Sequence, residues 1–373
     1  MTMPVPAPYT EADFANSPFV AFYEVTRACG LVCKHCRACA QPIAHKNELN
    51  TEASLRLLDQ FASFPKPPTL VFTGGDPMTR ADIFQLVRHA NEIGLVTAMT
   101  PSATSLVTKD ALIGLKEAGL SRLAVSLDSS DPIIHDDFRG VDGSFVRTLE
   151  IMRDAREIGL SLQVNTTITR RNVDDVDAMA EMLGTLGVVM WSVFFLIPVG
   201  RGLMEERIPA ERYEELFEKL WVHARSKPYG IKTTEAHHYR RFVLERMGDP
   251  LTAGKGGNTT RPDRVQRAPL GVNDGRGVMF VSHTGRVQPS GFLPVVCGVY
   301  PDKSIVDIYQ HSETMVRLRD KSLLRGKCGL CEYKSVCGGS RARAYAVSRD
   351  ILGSEPDCIY LPQLLRKLEP CLA

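Results

Sequence analysis

Residues 24–39 read Glu-Val-Thr-Arg-Ala-Cys-Gly-Leu-Val-Cys-Lys-His-Cys-Arg-Ala-Cys, and this stretch constrains the chain more than any other. Cys29, Cys33 and Cys36 are separated by three and then two residues, directly after an alternating apolar run at 19–26 that reads as a strand. A loop in that position can wrap its thiolates around one soft metal centre. Three thiolates suit a four-iron cluster with one iron left open. Cys36 with Cys39 also offers a zinc-type pair, so the spacing by itself leaves iron and zinc both open. The rest of the chain bears on the choice, because a structural zinc loop needs no cofactor pocket.

Downstream, strand and helix signals alternate. Helices are predicted over 51–64, with Leu55, Leu58, Phe61 and Ala62 on one face, and from Thr79 as N-cap to Gly94, with Ile83, Leu86, Val87 and Ala90 inward. Others are predicted over 108–118, 143–158 and 172–183, the last with Val176, Met179, Ala180 and Leu183 inward. Strands are predicted over 69–73, 95–100, 122–127, 161–169 and 190–197. With the first strand these make six that alternate with helices, the pattern of parallel βαβ units and an α/β fold. Alternation does not choose between a doubly wound sheet and a barrel. A last helix should close this region by about residue 225. Periodicity then fades over 227–269, where 248–262 is rich in Gly, Thr and Pro, as in a mobile loop. Residues 277–290 read as a hairpin turning near Thr284 and Gly285.

Polar and glycine-rich residues fall just after the strand ends, where the loops of either architecture build an active site. In Gly74-Gly75-Asp76-Pro77 two glycines remove Cβ atoms and Pro77 fixes the turn, which lets backbone approach a ligand; a tight strand-to-helix turn needs the same residues. Ser126 and Asp128 end the fourth strand, Asn165 and Thr167 lie on the fifth, and Pro198-Val-Gly-Arg-Gly follows the sixth. A second thiol group, Cys328, Cys331 and Cys337 with Cys358 further on, gives four thiolates, a full set for a closed iron-sulfur cluster or for a zinc ribbon. Ten cysteines, eight of them in two groups, are better explained by metal ligation in a reducing compartment than by disulfides.

The cysteine loop with His35 before its last cysteine, followed by the glycine-rich turn after the second strand, resembles the radical S-adenosylmethionine (AdoMet) superfamily. That resemblance covers roughly 19–362. It implies a partial (β/α)6 barrel with a [4Fe-4S] cluster on Cys29, Cys33 and Cys36, whose open iron is chelated by AdoMet. It further implies backbone contacts from Gly74, Gly75, Asp76 and Pro77 to the AdoMet amino group, although the family usually has Glu where Asp76 stands. Ser126, Asp128, Asn165 and Thr167 resemble the groups that hold ribose and carboxylate, Pro198 lies where adenine contacts form, and His35 is the ring beside the cluster. The second cysteine group resembles a C-terminal SPASM or twitch domain with one auxiliary [4Fe-4S] cluster on Cys328, Cys331, Cys337 and Cys358. Arg341 stands where a further cluster would need a cysteine. Cys39, Cys297 and Cys371 are left without a ligand role.

These readings divide the chain into a leader at 1–18, a radical AdoMet barrel at 19–226, a variable substrate segment at 227–270 and an auxiliary-cluster domain at 271–373. The tail resembles the enzymes of haem d1 and alternative haem biosynthesis, which implies a tetrapyrrole substrate whose carboxylates Arg201, Arg341 and Arg343 would hold. His237 and His238 are candidates to meet a porphyrin metal. The alternatives are a SPASM-type peptide maturase, against which stands the short run before the first strand with no room for a winged-helix module, and a zinc-stabilised binding protein. A reductant such as flavodoxin or ferredoxin is implied. Lys and Arg total 45 against 43 Asp and Glu, so nothing points to nucleic acid or an anionic membrane. The first residues lack the features of a signal peptide and no apolar run is long enough to span a bilayer, which places the protein in the cytoplasm.

Overall fold

Each segment with helical or strand spacing forms its element, and the elements pair in chain order. Strand β1 (Val20–Glu24) is followed by α1 (Thr51–Ala62), β2 (Thr69–Thr73) by α2 (Ile83–Glu92), and β3 (Thr97–Met99) by α3 (Lys109–Glu117). Next come β4 (Arg122–Ser126) with α4 (Pro132–Arg139) and α5 (Ser144–Glu157), β5 (Leu162–Ile168) with α6 (Val176–Thr185), and β6 (Met190–Phe195) with α7 (Ala210–Ser226). Neighbouring strands from β1 to β6 run parallel, giving the partial (β/α)6 barrel. The structure is a computed structural model and describes residues 9–204, 206–247 and 271–368.

Helical spacing locates most of the core. Ile83, Leu86, Val87 and Ala90 of α2 and Val176, Met179, Ala180 and Leu183 of α6 are all buried against the sheet. Each such side chain contributes about 1.5–3 kcal/mol by leaving water. In α1 the buried face is turned slightly from the expected one: Leu57, Leu58 and Phe61 are buried, and Leu55 and Ala62 sit at its margin. Thr79 does not cap α2; it lies in a short turn (Pro77–Thr79) and its hydroxyl donates to the Asp76 carbonyl at 2.8 Å.

The sheet extends beyond six strands at both ends. A seventh parallel strand, β7 (Gly230–Thr234), pairs with β6, and helix α8 (Tyr239–Met247) follows it. Both fall in the stretch where periodicity fades. As an edge strand β7 is half-buried except at the exposed Lys232, so no alternation marks it, and α8 buries only Arg241 and Phe242. Helix α4 was also unexpected, although Asp131 caps it, Pro132 begins it and Gly140, with φ +69°, ends it. At the other end, after β8 (Asn273–Asp274), strand β9 (Gly277–Val281) lies parallel to β1, with Val20 opposite Val278. It turns at Gly285 into β10 (Arg286–Gln288), which pairs with β11 (Gly298–Val299). A Cβ on Gly285 would lie 2.1 Å from the Tyr300 carbonyl oxygen, so only glycine fits there. The hairpin at 277–290 is therefore part of the barrel sheet, which runs unbroken past residue 271.

Helices α9 (Ile305–His311), α10 (Glu313–Arg319), α11 (Gly326–Leu330), α12 (Arg341–Ser348) and α13 (Gln363–Leu368) complete the described chain. The Gly-rich 248–262 stretch and Cys371 lie outside the described residues. Among the described residues no helix is long and apolar enough to cross a membrane.

Candidate active site and a second cysteine site

The loop after β1 is held by backbone, which leaves its thiols free to face inward. The Cys29 N–H donates to the Gln41 carbonyl at 2.8 Å and the Gln41 N–H to the Arg27 carbonyl at 2.9 Å, closing the loop at its neck. Cys29, Cys33 and Cys36 then line one cavity of about 200 Å³ at the carboxyl ends of the strands. Among the expected residues, His35, Gly74, Gly75, Ser126, Asn165, Thr167 and Arg201 share that wall. Burial raises the Cys29 thiol pKa, opposed by the Ser102 hydroxyl at 3.2 Å from its sulfur. His35 stacks on Phe138 with centroids 4.1 Å apart and planes 10° apart, and burial holds its ring neutral.

The glycine turn is pressed against the cysteine loop. Gly75 N–H donates to the Thr26 carbonyl at 2.9 Å and Asp76 N–H to the Ala28 carbonyl at 2.7 Å. A Cβ on Gly75 would lie 2.3 Å from the Ala28 carbonyl oxygen and 2.7 Å from that of Arg27, and both are backbone atoms. Gly75→Ala must therefore push the two loops apart. Overpacking of this kind costs about 1–3 kcal/mol, so AdoMet affinity should fall by about tenfold or more, with iron loading reduced; unchanged binding in a calorimetric titration would refute the fit.

Four expected residues lie off the cavity wall. The buried Asp76 carboxylate accepts from Met78 N–H at 3.1 Å, Ser102 N–H at 3.3 Å and the Thr104 hydroxyl at 2.7 Å, so it ties its own turn to the loop after β3. Asp128 pairs with Arg139 and accepts the Thr167 N–H at 2.8 Å; burial raises its pKa and Arg139 opposes that. Neither these two acids nor Pro77 or Pro198 is among the residues that line the cavity.

Arg201 does line it, but much of its guanidinium is spent on the cysteine loop: Nε donates to the Cys33 carbonyl at 2.8 Å and Nη1 to that of Ala40 at 3.2 Å. Two cationic neighbours escaped the sequence reading. Arg139 ends α4, with Nη1 3.7 Å from the Cys33 sulfur; the capping residues around α4 were its only signal. Arg37 follows Cys36 directly, 2.8 Å from the Glu24 carboxylate and 4.7 Å above the Phe280 ring. The other Glu24 oxygen meets His283 Nδ1 at 2.7 Å, which joins β1 to the turn of the C-terminal hairpin. Three guanidinium groups, Arg37, Arg139 and Arg201, thus face one cavity.

Cys328, Cys331, Cys337 and Cys358 converge on a second cavity, with His238, Arg241, Tyr333 and Tyr360 in its wall. Backbone N–H groups already point at the sulfurs, from Glu355 to Cys328 at 3.2 Å and from Gly339 to Cys337 at 3.4 Å. Burial pushes the thiol of Cys331 up to about 11 and those of Cys337 and Cys358 up to about 12, so a cationic group must displace their protons to be bound. Among the described residues no three His, Cys, Asp or Glu side chains group as they would around a single ion. A four-iron cluster, whose ligands spread around a cube, does not require that grouping. Three thiols with an open side fit a cluster that leaves one iron free, and four fit a closed one. Cys39 lies outside both walls, with φ +48°.

The assignment of Arg341 and Arg343 to substrate is corrected by their surroundings. Both are fully buried. Arg341 Nη1 donates to the Gly353 carbonyl at 2.6 Å, and Nη2 reaches the Cys328 sulfur at 3.8 Å. Arg343 lies 3.2 Å from Glu355 and 3.0 Å from Asp357, and donates to the Phe195 carbonyl at 3.2 Å. These groups hold the second site to the barrel and leave no face for a ligand.

Residues 23–183 match the model of the radical SAM superfamily. The chain is 36% identical over 368 residues to an AdoMet-dependent heme synthase of Nitratidesulfovibrio vulgaris, covering 98% of this chain and 97% of that one. It is also 36% identical to an AdoMet-dependent heme synthase of Methanosarcina barkeri, over 93% of this chain and 98% of that one. Among solved structures, Streptococcus suis SuiB bound to S-adenosylmethionine superposes with a TM-score of 0.72 at 16% identity, over 92% of this chain and 78% of SuiB, which shows a shared fold. By relatives matched over nearly its whole length and by the superfamily model that spans its cysteine loop, the chain belongs to the radical SAM superfamily and is an enzyme of it.

Proposed function

We propose that this enzyme modifies the carboxylate-bearing side chains of a tetrapyrrole; the AdoMet-dependent heme synthases to which it is similar support a tetrapyrrole as substrate. The observation that carries the reading is the cavity itself: three cysteines and three guanidinium groups share one wall, which suits AdoMet beside a polyanionic substrate. Cys29, Cys33 and Cys36 would hold a [4Fe-4S] cluster, which when bound would supply the electron for reductive AdoMet cleavage and so the radical chemistry at an unactivated carbon. The protein's part is placement and exclusion of water. Gly74 and Gly75 admit the AdoMet amino group to backbone, while Ser126, Asn165 and Thr167 offer polar contacts to ribose and carboxylate. Arg139 faces the same space, fixed by Asp128.

With Arg341 and Arg343 committed elsewhere, Arg37 takes the role of substrate anchor. Its side chain keeps 20% of its surface exposed, and Glu24 and the Gly291 carbonyl use only part of its donor set. The second cavity holds one auxiliary [4Fe-4S] cluster in this reading, in a C-terminal region from residue 271 that also lends β9 to the barrel sheet. A cytoplasmic flavodoxin or ferredoxin is the proposed reductant.

Reduced, cluster-loaded protein should bind a haem-type or sirohaem-type carboxylate at micromolar concentration, with a shifted absorption band, and convert one member of a panel of such compounds. Arg37→Leu should weaken that binding by about 1.5–3 kcal/mol, the worth of a charge-assisted contact, and leave AdoMet binding as it was. Should no tetrapyrrole bind while a small peptide is modified, the peptide-maturase alternative replaces this reading.

A further inference from the structure

His238 has an unmet requirement that the neighbouring cavity can satisfy. The residue precedes α8 directly, is 1% exposed, and neither of its ring nitrogens has a hydrogen-bond partner. Its ring packs against Tyr213 and Phe217 with centroids 5.1 and 4.9 Å away, so rotation into solvent is blocked. A neutral imidazole carries one N–H, and burying it without an acceptor forfeits the hydrogen bond that water would give it. Burial, with Arg343 and Arg241 close by, keeps the ring neutral. Those two cations are answered by other groups, Arg343 by Glu355 and Asp357 and Arg241 by Glu214 and Glu245. Asp357 and Lys327 also act on the ring, but Asp357 is engaged by Arg207, Tyr213 and Arg343, and neither ring nitrogen reaches it; the ring itself lines the cavity of Cys328, Cys331, Cys337 and Cys358.

We infer that His238 donates its N–H to a sulfur of the group those four cysteines hold, a bridging sulfide or a ligating thiolate. The inference rests on the reading that this group is an iron-sulfur cluster. His238 then acts as a positioning and tuning residue. An N–H aimed at cluster sulfur favours the more negative, reduced state and so raises the reduction potential. It supplements the N–H groups that Glu355 and Gly339 already aim at Cys328 and Cys337.

The test uses the full chain with Cys29, Cys33 and Cys36 replaced by Ala, so that every cluster signal comes from the second site. Loading of about four irons per chain confirms the reading underneath. In that background His238→Phe, which keeps the aromatic packing, should shift the midpoint potential to a lower value, and His238→Gln, which retains an N–H donor, should restore part of it. Pulsed EPR of the reduced protein labelled with ¹⁵N-histidine should show nitrogen coupling and an exchangeable proton, both lost in His238→Phe. If that variant fails to hold a cluster, the labelled parent decides by itself. A loaded cluster without nitrogen coupling overturns the inference alone; zinc in place of iron overturns the reading beneath it and the inference with it.

Discussion

Replacing Cys29, Cys33 and Cys36 together by Ala should remove about half of the roughly eight irons from anaerobically reconstituted protein and abolish AdoMet cleavage. The fold should survive, because within the loop the thiols add only the long contacts from Leu31 N–H to Cys29 and Ala40 N–H to Cys36, and the loop is closed mainly by backbone. Its neck is closed by Cys29 N–H and Gln41 N–H, and Arg201 clamps the Cys33 and Ala40 carbonyls, none of which the substitutions touch. Far-ultraviolet circular dichroism should match the parent while 5′-deoxyadenosine formation falls to background. Zinc at either site after purification without oxygen, with iron refusing to load, would falsify the assignment.

Arg343→Leu is expected to destabilise the protein by about 3–5 kcal/mol, the loss found when one partner is removed from a buried charge network. Glu355 would be left at 1% side-chain exposure without a cation, Asp357 at 8% would keep only Arg207 and the Tyr213 hydroxyl, and the Phe195 carbonyl would lose a donor. The measurement is the urea midpoint of the holoprotein. Adding Glu355→Gln and Asp357→Asn should recover part of the loss, since neutral amides do not need the guanidinium. Unchanged stability together with lost tetrapyrrole binding would return Arg343 to the substrate site.

How far the sequence could be read depended on whether a residue's role was local. Cys29, Cys33 and Cys36 lie within one loop, and Ile83, Leu86, Val87 and Ala90 within one helix, so their spacing already carries their common direction. Gly75 was legible as a turn, but its closeness to the Ala28 carbonyl joins two loops and appears only in three dimensions. Arg341 and Arg343 were misjudged for a related reason: charge near a metal site reads as ligand binding until the Gly353 carbonyl is seen facing Arg341 and the buried Glu355 and Asp357 facing Arg343. Arg37 was passed over because Phe280 comes from a strand far along the chain, and nothing in the 24–39 stretch shows that Glu24 turns back to meet it. Strand β7 has no alternation to detect, since at the sheet edge neither of its faces is fully covered.

The pairing of β9 with β1 carries a consequence for biosynthesis. Strand β1 leaves the ribosome early, yet its second neighbour, with Val278 opposite Val20, emerges only after the whole barrel has been made. Until then β1 is an open edge with unpaired backbone groups, the kind of template on which chains aggregate. Glu24, buried between Arg37 and His283 in the finished protein, likewise lacks one of its two partners on the nascent chain. Iron should therefore be delivered after release from the ribosome, when the last-made hairpin has closed over the first-made strand. A chain truncated before β9 is expected to precipitate with its first thiol site empty, although every ligand of that site has been synthesised.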